Sequence, residues 1–132
     1  MIDETINIEK DDDIIKARQL IRKLSQEIGF NIVAQTKLIT VTSELTRNVL
    51  IYAKRGILNV KSVEGNENVG LEIIVTDQGP GIDNLELVLA GGYSTSRGLG
   101  KGLSGTKKLM DEFKINSEVS KGTEVKVIKW KT

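Results

Sequence analysis

The sequence predicts an α/β fold, a two-layer sandwich with a largely antiparallel mixed sheet and helices on one face. Three observations lead there. Five segments alternate apolar and polar residues at strand period, and three repeat apolar residues at helical period. The strands also come in neighbouring pairs whose connecting turns are too short for anything but antiparallel pairing. Elements in the order β-α-α-β-β-(short α)-loop-α-β-β bury a helix layer against one sheet face. A chain of 132 residues is long enough for one such core. The expectation is a single domain over residues 1–132, with no internal repeat and no linker.

Each element has its own signal. TINIEK alternates and reads as a short strand, and Asp11, Asp12 and Asp13 behind it are helix-capping residues. Ile14, Ala17, Leu20, Ile21, Leu24 and Ile28 then share one helix face, and Gly29 stops the helix. A second, longer helix is expected from Ile32 to Ala53 through Leu38, Val41, Leu45 and Val49, ended by Gly56. GILNVKSV and LEIIVTD are strands joined by EGNENVG. NLELVLA reads as a short helix, followed by a polar, glycine-rich stretch from Gly91 to Gly102. LSGTKKLMDEF has helical spacing in Leu103, Leu109, Met110 and Phe113, and KINSEVS and TEVKVIKW close the chain as a hairpin across Lys121-Gly122.

Composition removes several chemistries. The chain has no cysteine and no histidine, so disulfides, zinc-cysteine sites, the Ser-His-Asp triad and a phosphohistidine intermediate are all excluded. Nineteen basic against eighteen acidic residues, without long blocks of either sign, give no electrostatic case for nucleic acid. One Trp, two Tyr and two Phe make no base-stacking platform. The acidic start MIDETINIEK has no signal-peptide core, and no apolar run approaches a membrane span. A cytoplasmic protein with no membrane and no nucleic-acid partner is expected.

Three segments carry chemistry. GLGKGLSG, residues 98–105, holds four glycines, which let backbone amides approach an anion, and a helix starting near Leu103 would aim its free N–H groups there too. Gly100, Gly102 and Gly105 fit G-x-G-x-x-G, but polar YSTSR precedes them where a dinucleotide loop needs a buried strand. A P-loop fails as well: Thr95 stands where its first glycine belongs. TDQGPGI, residues 76–82, ends a strand on Asp77 and brackets Pro80 with Gly79 and Gly81, so a carboxylate is held at a stiff turn. It is placed to accept from an adenine amino group. SELTRNVLIYA puts Glu44 and Asn48 four apart on one helix face, a proton acceptor one turn from an amide that can ligate Mg²⁺. Taken singly, the three read equally as a surface loop, a strand-end turn and a solvated helix face.

Together they resemble the GHKL ATPase family of gyrase, Hsp90, MutL and histidine-kinase catalytic domains. Glu44-Leu-Thr-Arg-Asn48 is similar to its N box, Asp77-Gln-Gly79-Pro-Gly81 to its first glycine box, Gly98-Leu-Gly100-Lys-Gly102 to its second, and KGTEVKV with Thr123 to its threonine box. GGYSTSRGLGKGL, KKLMDEF, ARQL and the closing IKW resemble in particular the serine/threonine switch kinases of bacterial stressosomes. Arg97 and Ser104 depart from that subgroup, where Gly and Pro are expected.

The resemblance implies ATP and Mg²⁺ as cofactors. It implies Asp77 on the adenine amino group with Thr123 assisting, Asn48 on Mg²⁺ and Glu44 as general base. Gly79 and Gly81 would wall the base, and Gly98, Gly100, Lys101, Gly102 and Leu103 would close over the phosphates. The implied partners are STAS-domain stressosome proteins phosphorylated on Ser or Thr and a PP2C-type phosphatase, with Arg18 a candidate contact. The alternatives are an anti-sigma factor with kinase activity and a nucleotide-responsive adaptor without turnover.

Overall fold

The structure is a computed structural model and describes residues 1–82 and 99–131. The expected short helix in NLELVLA, Arg97, Gly98 and most of the Gly91–Gly102 stretch lie outside the described residues.

β1 (Asp3–Ile8) leads into α1 (Asp11–Ile28), whose N-cap is Lys10 rather than an aspartate. Asp13 does the capping from inside the first turn: its Oδ2 accepts from the N–H groups of Glu9 at 2.9 Å and Lys10 at 3.1 Å. Gly29 closes the helix in the left-handed region, φ 99°, its N–H directed to the carbonyls of Ser25 and Gln26. α2 (Ile32–Asn48) starts on the Asn31 side chain, which accepts from the Ala34 N–H at 2.8 Å.

The expected α-helix to Ala53 stops short. Beyond Asn48 the chain winds as a π-helical turn, Val49–Ala53, and leaves it at Lys54 with φ 72°. Periodicity could not reveal this, because Val49 stays in the core as an α-helical phase would require.

β2 (Gly56–Glu64) and β3 (Val69–Asp77) follow, then α3 (Leu99–Leu109), β4 (Glu112–Glu118) and β5 (Gly122–Trp130). The sheet order is β1-β2-β3-β5-β4, each neighbouring pair antiparallel. The last helix sits four residues earlier than Leu103–Phe113. It ends at Leu109 because Asp111 is captured by the end of β5: its N–H donates to the Ile128 carbonyl, and its Oδ2 accepts from the Trp130 N–H at 2.7 Å. Phe113 is therefore a strand residue.

The strand register lines up residues in rows across the sheet. One row is Ile6–Leu58–Val75–Val125–Ile115, the next Ile8–Gly56–Asp77–Thr123–Ser117, both on the face that carries the helices. Ala17, Ile21 and Leu24 of α1, Leu38, Val41 and Leu45 of α2, and Leu103 of α3 join Leu58, Ile73 and Val127 in the core. In the three central strands the sheet thus turns polar or side-chain-free one row beyond its apolar floor. No described helix is long and apolar enough to cross a membrane.

Candidate active site

Two clusters form at that edge of the core. The first belongs to the helices. Glu44 and Asn48 lie one turn apart on α2 and face α3 at Gly102, where an added Cβ would stand 2.7 Å from Glu44 Oε2 and 3.9 Å from Asn48 Nδ2. Glycine is what allows this approach. The other carboxylate oxygen, Oε1, accepts from Arg47 Nη1 at 3.1 Å.

The second cluster belongs to the sheet. Asp77 is half-buried at the end of β3, and its Oδ1 accepts from the Gly79 N–H at 2.9 Å. Burial pushes its carboxyl above the ordinary range, against the pull of the N–H groups of Gly79 and Thr123. The turn after it docks on the β4–β5 hairpin. Ser120 donates its N–H to the Pro80 carbonyl, and Ile82 donates to Ser117 Oγ at 2.8 Å. Ser117 Oγ and Thr123 Oγ1 are 2.7 Å apart. Gly81, at φ 76°, lies against the Glu118 carbonyl, where a Cβ would collide.

The π-helical turn joins the two clusters. It begins after Asn48 and ends at Ala53, against which Gly79 packs so closely that a Cβ there would be 2.5 Å from the Ala53 Cβ.

Of the residues singled out in the sequence, Glu44, Asn48 and Gly102 come together, as do Asp77, Gly79, Gly81 and Thr123. Gly98 lies outside the described residues. Gly100, Lys101 and Gly102 are helix residues rather than loop, because α3 begins at Leu99. The free N–H groups of such a helix are those of its first turn, so Gly102 contributes mainly its lack of a side chain. Leu103 does not reach the site with its side chain, which is buried in the core. Arg18 is exposed on α1.

Sequence reasoning missed three residues. Ser117 ties the turn after Asp77 to the sheet, and its signal was a polar residue on the inward register of β4. Arg47 engages Glu44 from three residues along α2. Thr106 lies one turn beyond Gly102, buried, its hydroxyl without a hydrogen-bond partner among the described residues.

A half-buried carboxylate at a strand end beside a glycine wall, joined through the π-helical turn to a helix pair that brings Glu and Asn to a glycine near a helix start, is chemistry compatible with a nucleotide. The family model of the histidine kinase-, DNA gyrase B- and HSP90-like ATPases matches residues 33–132. The chain belongs to this family. Nucleotide binding comes with membership of these ATPases. Within them the chain is 48% identical over 118 residues to the serine/threonine-protein kinase RsbT of Bacillus subtilis (strain 168), covering 89% of both chains. It is 32% identical over 93 residues to an anti-sigma F factor of Clostridium kluyveri, covering 65% of this chain and 63% of that one. The mycobacterial sensor histidine kinase MprB has the same fold: TM-score 0.58 at 18% identity, over 98% of this chain and 97% of that one.

Proposed function

We propose that the chain, as one domain over residues 1–132, is a protein serine/threonine kinase that transfers the γ-phosphate of ATP to a STAS-domain partner in the bacterial cytoplasm. Glu44 accepts the proton of the acceptor hydroxyl as its oxygen bonds to the γ-phosphorus, and the β–γ bridging P–O bond breaks to release ADP. Asp77 selects adenine, since a carboxylate accepts from an amino group and repels the carbonyl that guanine presents there. The first turn of α3 offers N–H groups to the phosphates.

Mg²⁺ suits the donors present. Among the described residues no three acidic side chains cluster to make a protein cage, so the Asn48 amide oxygen and phosphate oxygens would form its hard-oxygen shell. Bound there, it would neutralise charge developing on the transferred group.

The observation that carries this reading is the meeting of Glu44 and Asn48 with Gly102. The likeness to the serine/threonine-protein kinase RsbT favours a protein acceptor; binding to a PP2C-type phosphatase after release from it is part of the proposal. The likeness to anti-sigma F factors favours a second reading, direct binding of a sigma factor. A carboxylate kept against the glycine of α3 speaks against a turnover-free adaptor.

The test is incubation with radiolabelled ATP, Mg²⁺ and a STAS-domain acceptor. Acid-stable label on Ser or Thr is expected. Glu44→Gln should hold nucleotide affinity within a few-fold and lower transfer by about 10²–10⁴. Acid-labile label, or full transfer by Glu44→Gln, overturns the mechanism. Capture of a sigma factor in place of the STAS protein would favour the second reading.

A further inference from the structure

Between α2 and α3 runs a cavity of about 440 Å³, lined by Glu44, Arg47 and Asn48 of α2 and by Gly102, Gly105 and Thr106 of α3. We propose that this groove is the subsite for the acceptor segment of the protein substrate, the short stretch whose Ser or Thr is phosphorylated. The proposal rests on the kinase reading and deepens it.

The argument starts from Glu44. A base that takes a proton from the acceptor must be within hydrogen-bond reach of it, so the acceptor hydroxyl has to enter the space that Glu44 borders. That space does not end at the carboxylate. It extends along α3 from Gly102 to Gly105, Thr106 and Leu109, from the helix start towards its C-terminal end. Neither Asp77 nor any residue of its turn borders it. The groove starts at Glu44, Asn48 and Gly102 and continues past them along α3 to Leu109. Its volume falls in the range of ~300–1,000 Å³ common to ligand clefts.

Two residues in the wall are not accounted for by the packing of the described residues. Gly105 is a helix-interior glycine, which is destabilising relative to Ala. Its φ is not in the left-handed region, and among the described residues no atom lies within 4 Å of where its Cβ would stand. The packing of the described residues does not require a glycine there; a chain lying in the groove does. Thr106 is 2% exposed, and among the described residues its Oγ1 has no hydrogen-bond partner. A buried hydroxyl in that state is unfavourable, and a peptide group of an incoming segment would satisfy it. Arg47 stands half-exposed beside the same space, engaged with Glu44. The occupant that fits is a segment with small residues around its Ser or Thr, backbone against Gly105 and Thr106 and hydroxyl towards Glu44.

The test uses the full chain with Gly105→Leu, Gly105→Ala, Thr106→Val and Thr106→Ser. Affinity for a fluorescent ATP analogue, ATP hydrolysis with water as acceptor, and transfer to the STAS-domain protein are measured in parallel. Gly105→Leu should leave nucleotide affinity and hydrolysis within about twofold while raising the KM for the protein by about 10- to 100-fold. Gly105→Ala should melt higher than the parent, from helix propensity, and still bind the acceptor less well. Thr106→Val should keep the fold and raise the acceptor KM; Thr106→Ser should restore it. An unchanged acceptor KM in folded Gly105→Leu overturns the groove while leaving the kinase reading intact. Loss of nucleotide affinity in that variant gives the groove to ATP and equally overturns the proposal. A parent chain that transfers to no protein overturns the kinase reading and the groove with it.

Discussion

Two aspartates in this chain answer to pH with opposite signs, and the difference separates a helix-capping carboxylate from the one proposed to bind adenine. Asp13 is held below the ordinary range, first by the Glu9 N–H and then, against burial, by the Lys10 N–H and the charges of Lys16 and Lys10. Its contribution to stability is present above the ordinary carboxylate pKa and is lost as pH falls through the lowered one. Asp77 is pushed up by burial. The folded state then binds its proton more tightly than the unfolded one, so stability is full at low pH and declines as pH rises through the raised value. Asp13→Ala should accordingly lower the melting temperature at pH 7, by an amount that shrinks as pH falls through the lowered value. Asp77→Asn should do the reverse: match the parent near pH 3 and melt above it at neutral pH. It should also weaken ATP binding about 10- to 150-fold through loss of a charge-assisted hydrogen bond worth roughly 1.5–3 kcal/mol. Thermal melts across pH, with titration of a fluorescent ATP analogue, check both. An Asp77→Asn protein that binds ATP as the parent does would remove Asp77 from the site.

At the scale of elements, glycines divide in the same way. Gly81 has φ 76° and the Glu118 carbonyl where its Cβ would go, so Gly81→Ala strains backbone against backbone and should destabilise by about 1–3 kcal/mol. Among the described residues Gly102 meets only the ends of side chains, Glu44 Oε2 closely and Asn48 Nδ2 at 3.9 Å. Gly102→Ala should therefore fold at least as well as the parent, yet displace the base and cut transfer by about tenfold or more. Denaturant melts and transfer rates measured on the pair test this; equal losses of stability would refute the division.

The elements themselves were legible to different degrees. Leu38, Val41 and Leu45 announced α2, and the change from Val75 to Asp77 announced the end of β3, because burial imposes one period on each. The start of α3 was not legible. Gly100, Gly102 and Gly105 argue against helix on propensity, and only Glu44, more than fifty residues earlier in the chain, explains Gly102. The π-helical turn was hidden for a similar reason: it keeps Val49 inside and shows its purpose only at Ala53, against Gly79. Ser117 looked like one more polar residue in an edge strand until the register placed it beside Thr123.

Across the whole molecule, the candidate site belongs to both layers. Asp77, Thr123 and Ser117 come from the sheet, Glu44 and Asn48 from α2, and Gly102 from α3, while the π-helical turn carries one cluster to the other. A nucleotide seated on all of them ties the helix layer to the sheet, so it must stabilise the domain as a unit rather than one loop. Linkage sets the size: ligand at a hundred times its Kd adds about 2.7 kcal/mol. For a chain of 132 residues this raises the melting temperature by roughly 5–10 °C. ATP with Mg²⁺ should give this shift in full, and chelation with EDTA should remove the metal-dependent part. Asn48→Ala should respond to ATP alike with and without Mg²⁺, because the side chain proposed to face the ion is gone, while Asp77→Asn should need a higher ATP concentration for the same shift. Calorimetry on the three proteins at matched nucleotide concentrations decides it. A full Mg²⁺-dependent shift in Asn48→Ala would move the metal elsewhere. A parent protein that melts at one temperature whatever the ATP concentration would dissolve the link between the two layers on which the site is built.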